Sequence, residues 1–131
     1  MKTFILLLLF TSITYASDWT GTDTALELTY AAAHVVDWSQ TRYMSRNWDT
    51  PITTVRQGRT DFEYRREGNL ILGTTPHRDT VDLYFAGTLA AHAVVSYLLP
   101  KPYRTYWQGI TIGFQSGVVA HNINAGVRVR F

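Results

Sequence analysis

The segment Asp79–Leu99 constrains this chain more than any other. Pro76 precedes it and Pro100-Lys101-Pro102 stops it. Apart from tyrosines, its interior from Leu83 to Leu99 holds only Thr88, His92 and Ser96 as polar side chains, with Ala86, Gly87, Ala90, Ala91 and Ala93 as small ones. Proline cannot continue a helix and biases the residue before it toward extended backbone, so the bounds are firm. At about 1.5 Å per residue such a helix runs roughly 25–30 Å, just the thickness of a bilayer core.

Two further segments read as helical. Thr24–Asn47 carries Ala25-Leu26-Glu27-Leu28 and Ala31-Ala32-Ala33, with Asp23 or Thr24 as cap and Glu27 at capping-box spacing from Thr24. Tyr103–Asn122 holds Gly109, Gly113 and Gly117, every fourth residue. At helical spacing they form a ridge that lets a second helix approach closely. A competing reading makes 110–131 β-structure, because three glycines weaken a helix by about 1 kcal/mol each. The ending Gly126-Val127-Arg128-Val129-Arg130-Phe131 also alternates like the last strand of an outer-membrane barrel. Helix is favoured for 103–122, with an extended tail beyond it. The expected fold is all-α, a small bundle of about three helices. Its long polar loop, Trp48–His77, has room for a short hairpin around Gln57-Gly58-Arg59 and an apolar plug at Asn69–Leu72.

The N-terminus reads as an export signal. Met1-Lys2 is basic, Phe4–Phe10 is unbroken apolar sequence, and Thr14-Tyr15-Ala16 ends on a small residue. Residues 1–16 are therefore expected to be a signal peptide and 17–131 a single domain of the cell envelope, in the inner membrane or periplasm. There is no cysteine, which excludes a disulfide framework and a lipid-modified cysteine. The formal charge of +2 includes Lys2, and acids alternate with bases across 42–82 without a basic stripe, so nucleic acid is not an expected partner.

The arginines sort by segment. With the N-terminus outside, Arg42, Arg46, Arg56, Arg59, Arg65, Arg66, Arg78, Arg128 and Arg130 all fall inside, and only Lys101 and Arg104 fall outside. That agrees with the positive-inside bias of membrane helices. The mean hydropathy of −0.08 pulls the other way, toward a soluble bundle. A membrane is the expected partner, with self-association through the glycine ridge as a further expectation.

Chemistry is sparsely signalled. Glu27, Tyr30, His34, Asp37 and Thr41 share one face of the first helix. In a soluble bundle that face is solvated; in a membrane it is a buried polar seam and a functional candidate. His92 and His121 could join His34 and Asp37 around a divalent metal such as zinc, although H-E-x-x-H is absent. Ser39, Ser45, Ser96 and Ser116 lack a nucleophile elbow, and Glu63 and Glu67 are interleaved with Arg65 and Arg66. No cofactor is expected, a divalent metal being the alternative.

Asp37-x-x-x-Thr41, then Glu67-x-Asn69 with Leu70 and Gly73, then an apolar helix, resembles a group of uncharacterised small bacterial and phage envelope proteins. In these an Asp/Thr helix end precedes a Glu-Asn-Pro-type turn; here Leu70 stands in the proline position. The resemblance implies a compact helical, often membrane-embedded protein and marks Asp37, Thr41, Glu67 and Asn69, without implying a reaction. The expected function is that of a small non-enzymatic envelope protein acting through helix contacts. The alternatives are a metal-dependent enzyme or metal-binding protein, and an outer-membrane protein with a β-structured C-terminal segment.

Overall fold

The computed structural model describes residues 18–47, 51–56, 59–64 and 68–130. The expected signal peptide, the hairpin loop at 57–58 and Glu67 lie outside the described residues. Five elements follow in order: α1 (Gly21–Ser45), β1 (Pro51–Arg56), β2 (Arg59–Tyr64), α2 (Arg78–Leu98) and α3 (Lys101–Asn124).

Helix α1 starts one turn earlier than the sequence reading placed it. Thr20 is the cap: its hydroxyl accepts from Asp23 N at 3.3 Å, and the Asp23 carboxylate accepts from Thr20 N at 2.7 Å. This Thr-x-x-Asp box does the work expected of Thr24 and Glu27. Glu27, freed from that duty, points into the bundle. The two strands pair antiparallel from Pro51↔Tyr64 to Arg56↔Arg59, the short hairpin anticipated within the polar loop.

The chain re-enters the bundle through a turn in which Asn69 Oδ1 accepts from Ile71 N at 2.9 Å and Asn69 O accepts from Gly73 N at 3.0 Å. Gly73 sits at φ +77, a left-handed conformation that suits glycine. Of the apolar plug, only Leu72 is buried, against Val81 and Phe85 with Trp38 and Tyr84 packed around them; Leu70 and Ile71 are exposed. Helix α3 follows Pro100 and carries Pro102 in its first turn, where a missing N–H costs nothing. It runs unbroken through Asn124, so the β reading of 110–124 does not hold. A double cap closes it: Gly126 N donates to Ile123 O and Val127 N to Asn122 O, both at 2.9 Å. Gly126 takes φ +75 and Val127 is buried against the helix end.

The result is the expected all-α bundle of three helices. Helix α1 is central and packs against both α3 and α2, which touch each other little. Contacts between Asp23, Arg104 and Ser96 hold the start of α1, the start of α3 and the end of α2 together at one end. Asp37 and Asn122, with Trp38 and Asp82, define the other. Arg42, Arg46 and Arg78 lie at that second end, from which Arg128 and Arg130 also leave.

The distribution of side chains is inverted. Asp23, His34, Asp37, Ser39, Gln40, Thr41, His92, Ser96, Arg104, Gln108 and Gln115 are buried. Leu28, Leu83, Val94, Ile110 and Phe114 stand exposed on the outside. Gly109, Gly113 and Gly117 are on that outer surface, and a Cβ added at any of them would meet nothing within 4 Å. Among the described residues, the ridge therefore packs against no other helix.

Candidate functional site: a buried polar seam

The polar face of α1 is not a solvated stripe. Tyr30, His34, Asp37 and Thr41 are buried and Glu27 is mostly so. They meet a matching face of α3, made by Arg104, Gln108, Thr111, Gln115 and Asn122, and a shorter one of α2, made by Thr88, His92 and Ser96. These fall at helical spacings of three, four and seven, which line one side of each helix.

The first section joins all three helices. Arg104, fully buried, donates from Nη1 to Asp23 Oδ2 at 3.4 Å, from Nε to Ser96 O at 2.8 Å and from Nη2 to Leu99 O at 2.9 Å. Its guanidinium carbon lies 4.9 Å from the centre of the Trp19 ring. One turn on, Gln108 Nε2 donates to Asp23 O at 3.1 Å and to Glu27 Oε2 at 3.0 Å. The other Glu27 oxygen, Oε1, lies 2.8 Å from His92 Nδ1, and His92 Nε2 lies 2.8 Å from Thr111 Oγ1. The His92 ring is stacked between Tyr30, 3.5 Å between centroids, and Trp107, 5.2 Å away.

Tyr30 links this section to the next. Its hydroxyl reaches His34 Nδ1 at 3.4 Å, where Gln115 Oε1 also lies at 3.3 Å. His34 Nε2 faces Phe85 O at 3.0 Å and Thr88 Oγ1 at 3.2 Å. Gln115 then donates from Nε2 to Asp37 Oδ2 at 2.7 Å. Asn122 Nδ2 donates to Asp37 Oδ1 at 3.0 Å and to Gln40 Oε1 at 3.1 Å. Most of the seam's buried polar groups thus find a partner, as a low-dielectric interior demands, while Ser39 Oγ, Gln40 Nε2, Gln108 Oε1 and Trp107 Nε1 are buried without a hydrogen bond.

The proposed metal set is not assembled. Among the described residues no group of three or more His, Asp or Glu side chains is placed to hold an ion. His34 and His92 each have both ring nitrogens engaged, Tyr30 stacks on both rings, and His121 is exposed on α3. Of the four positions marked by the family resemblance, Asp37 and Thr41 lie in the seam and Asn69 builds its own turn. Sequence reasoning missed the α3 half: Arg104, Gln108, Thr111, Gln115 and Asn122 repeat at the spacing of Asp23, Glu27, Tyr30 and His34, and that shared period was the available signal.

Comparison with protein-family models, curated proteins and solved structures finds no match to this chain.

Proposed function

We propose that this chain is a small exported protein of the cell envelope, embedded in the inner membrane and acting through contacts between helices. One observation carries the reading: the bundle is polar within and apolar without. In water, exposing Leu28, Leu83, Ile110 and Phe114 while burying Arg104 would forfeit hydrophobic gain and incur desolvation together. In hydrocarbon the same arrangement hides the polar groups of the seam from lipid and presents apolar side chains such as Leu83, Ile110 and Phe114 to it.

Further features agree. Helix α2 is long and apolar enough to cross a membrane by itself. Arginines concentrate at the end of the bundle shared by the α1 C-terminus and α2 N-terminus, the cytoplasmic side under the positive-inside bias. Trp19, Tyr97, Tyr103 and Tyr106 gather near the other end, as an interfacial aromatic belt would. The outward glycine ridge of α3 is open to a helix of a second copy. Cell fractionation followed by alkaline carbonate extraction tests the placement: the protein should remain in the membrane pellet, and release into the supernatant would contradict it.

Self-association has its own test. Gly113→Leu meets no intramolecular obstacle. It should leave the helical circular dichroism intact while lowering cross-linked dimer in membranes several-fold. Undiminished cross-linking would remove the ridge from the account.

A further inference from the structure

We propose that Glu27, His92 and Thr111 form an acyl-transfer site, with Thr111 Oγ1 as nucleophile toward the acyl ester of a membrane lipid. Three features of the seam point there. The first is connectivity: a carboxylate holds Nδ1 of the imidazole at 2.8 Å, and a hydroxyl lies 2.8 Å from Nε2. That is the orienter–base–nucleophile order in which an otherwise weak hydroxyl is activated. The second is fixation. Gln108 holds the far oxygen of Glu27 at 3.0 Å, and the imidazole is stacked between Tyr30 and Trp107. The third is an unused donor: Trp107 Nε1 is buried without a hydrogen-bond partner, one helical turn before Thr111 on the same face. A preorganised donor on the nucleophile's face of the helix suits a developing oxyanion.

His92 is buried, while Thr111, Trp107 and Glu27 are each partly exposed, so the triad lies near the bundle surface. The Thr111 hydroxyl has two orientations, toward the helix carbonyls Trp107 O at 2.7 Å and Gln108 O at 3.0 Å, or toward His92 Nε2 at 2.8 Å. In the second orientation its proton passes to Nε2 as Oγ1 bonds to the ester carbonyl carbon. Collapse of the adduct breaks the bond to the leaving alcohol, which takes that proton from Nε2 and leaves acyl-Thr111. Water then gives its proton to Nε2 and its hydroxyl to the acyl carbon. Thr111 recovers the proton, and a carboxylic acid departs.

The lipid as substrate rests on the membrane reading; the chemistry does not. Glu27 lies six residues inside the start of α1 and His92 six before the end of α2. At about 1.5 Å per residue that is roughly 9 Å from the bundle end, within the leaflet on that side of the membrane.

The test uses the full chain in two settings. In detergent, a fluorophosphonate probe should form an adduct that peptide mass spectrometry locates on Thr111, and p-nitrophenyl butyrate should be hydrolysed. In phosphatidylcholine vesicles bearing a fluorescent acyl chain, labelled fatty acid should be released. Thr111→Ser should retain both activities, whereas Thr111→Val, His92→Gln and Glu27→Gln should each lose about 100-fold or more, with circular dichroism confirming that they fold. A folded wild-type protein with neither adduct nor ester hydrolysis overturns the proposal, as does an adduct that persists in Thr111→Val. If soluble ester is hydrolysed but the protein fails to float with vesicles, the triad stands and the membrane reading falls.

Discussion

Arg104 shows how one side chain ties three helix ends together. It sits in the first turn of α3, a position where the helix dipole disfavours a cation, and it has no exposed surface. What offsets this is its planar fork, which reaches the Asp23 carboxylate and two carbonyls, Ser96 O and Leu99 O, at the C-terminal end of α2. Those carbonyls have little intrahelical partnership of their own, and an arginine donates to them in directions a lysine cannot match. Arg104→Ala should therefore destabilise the bundle by about 3–5 kcal/mol, since it leaves the buried Asp23 carboxylate with its Thr20 cap but without its counter-ion. Arg104→Lys should recover only part of that. Unfolding in mixed detergent micelles measures both, and a loss below about 1 kcal/mol for the alanine variant would remove Arg104 from the centre of the packing. Sequence reading treats this residue as an exterior charge. Its burial depends on Asp23, distant in sequence, and only the shared spacing of polar residues on α1 and α3 hints at the pairing.

At the scale of elements, the helices were legible because proline punctuation and apolar runs are local properties. Their caps were less so. Thr20-x-x-Asp23 and Thr24-x-x-Glu27 have the same box spacing, and what separates them is that Gln108 and His92 claim Glu27 from outside the helix. The glycines of α3 misdirect in a similar way. Their cost to the helix is real, but Gln108, Gln115 and Asn122 on the opposite side each lock into α1, and that packing decides the outcome. The final turn makes a separate claim. Gly126 holds φ +75 within a double cap, so Gly126→Ala should cost about 1–2 kcal/mol. Amide exchange should accelerate in the last turn of α3 while that of α1 holds. Equal acceleration throughout, or none, would mean that the cap does not govern this end.

For the whole molecule, the decisive property is the inversion of inside and outside. The polar stripe of α1 has two meanings as sequence, because a solvated face and a buried seam share one period. Neither composition nor mean hydropathy separates them: the polar residues that lower the average are those that α1, α2 and α3 turn toward one another. Only the partner faces settle it, and Arg104, Gln108, Gln115 and His92 provide them. Under the proposed membrane placement the seam serves two ends, holding the helices together where apolar packing gives little preference over lipid, and fixing Glu27, His92 and Thr111 in register. The absence of cysteine makes the most direct test clean, because single cysteines can be placed at will. Nitroxide labels at Leu83, Ile110 and Phe114, three exposed apolar positions on α2 and α3, should collide readily with dissolved oxygen and poorly with a water-soluble nickel chelate in reconstituted vesicles. Strong collision with the chelate at all three would place these faces in water and contradict the membrane-embedded bundle.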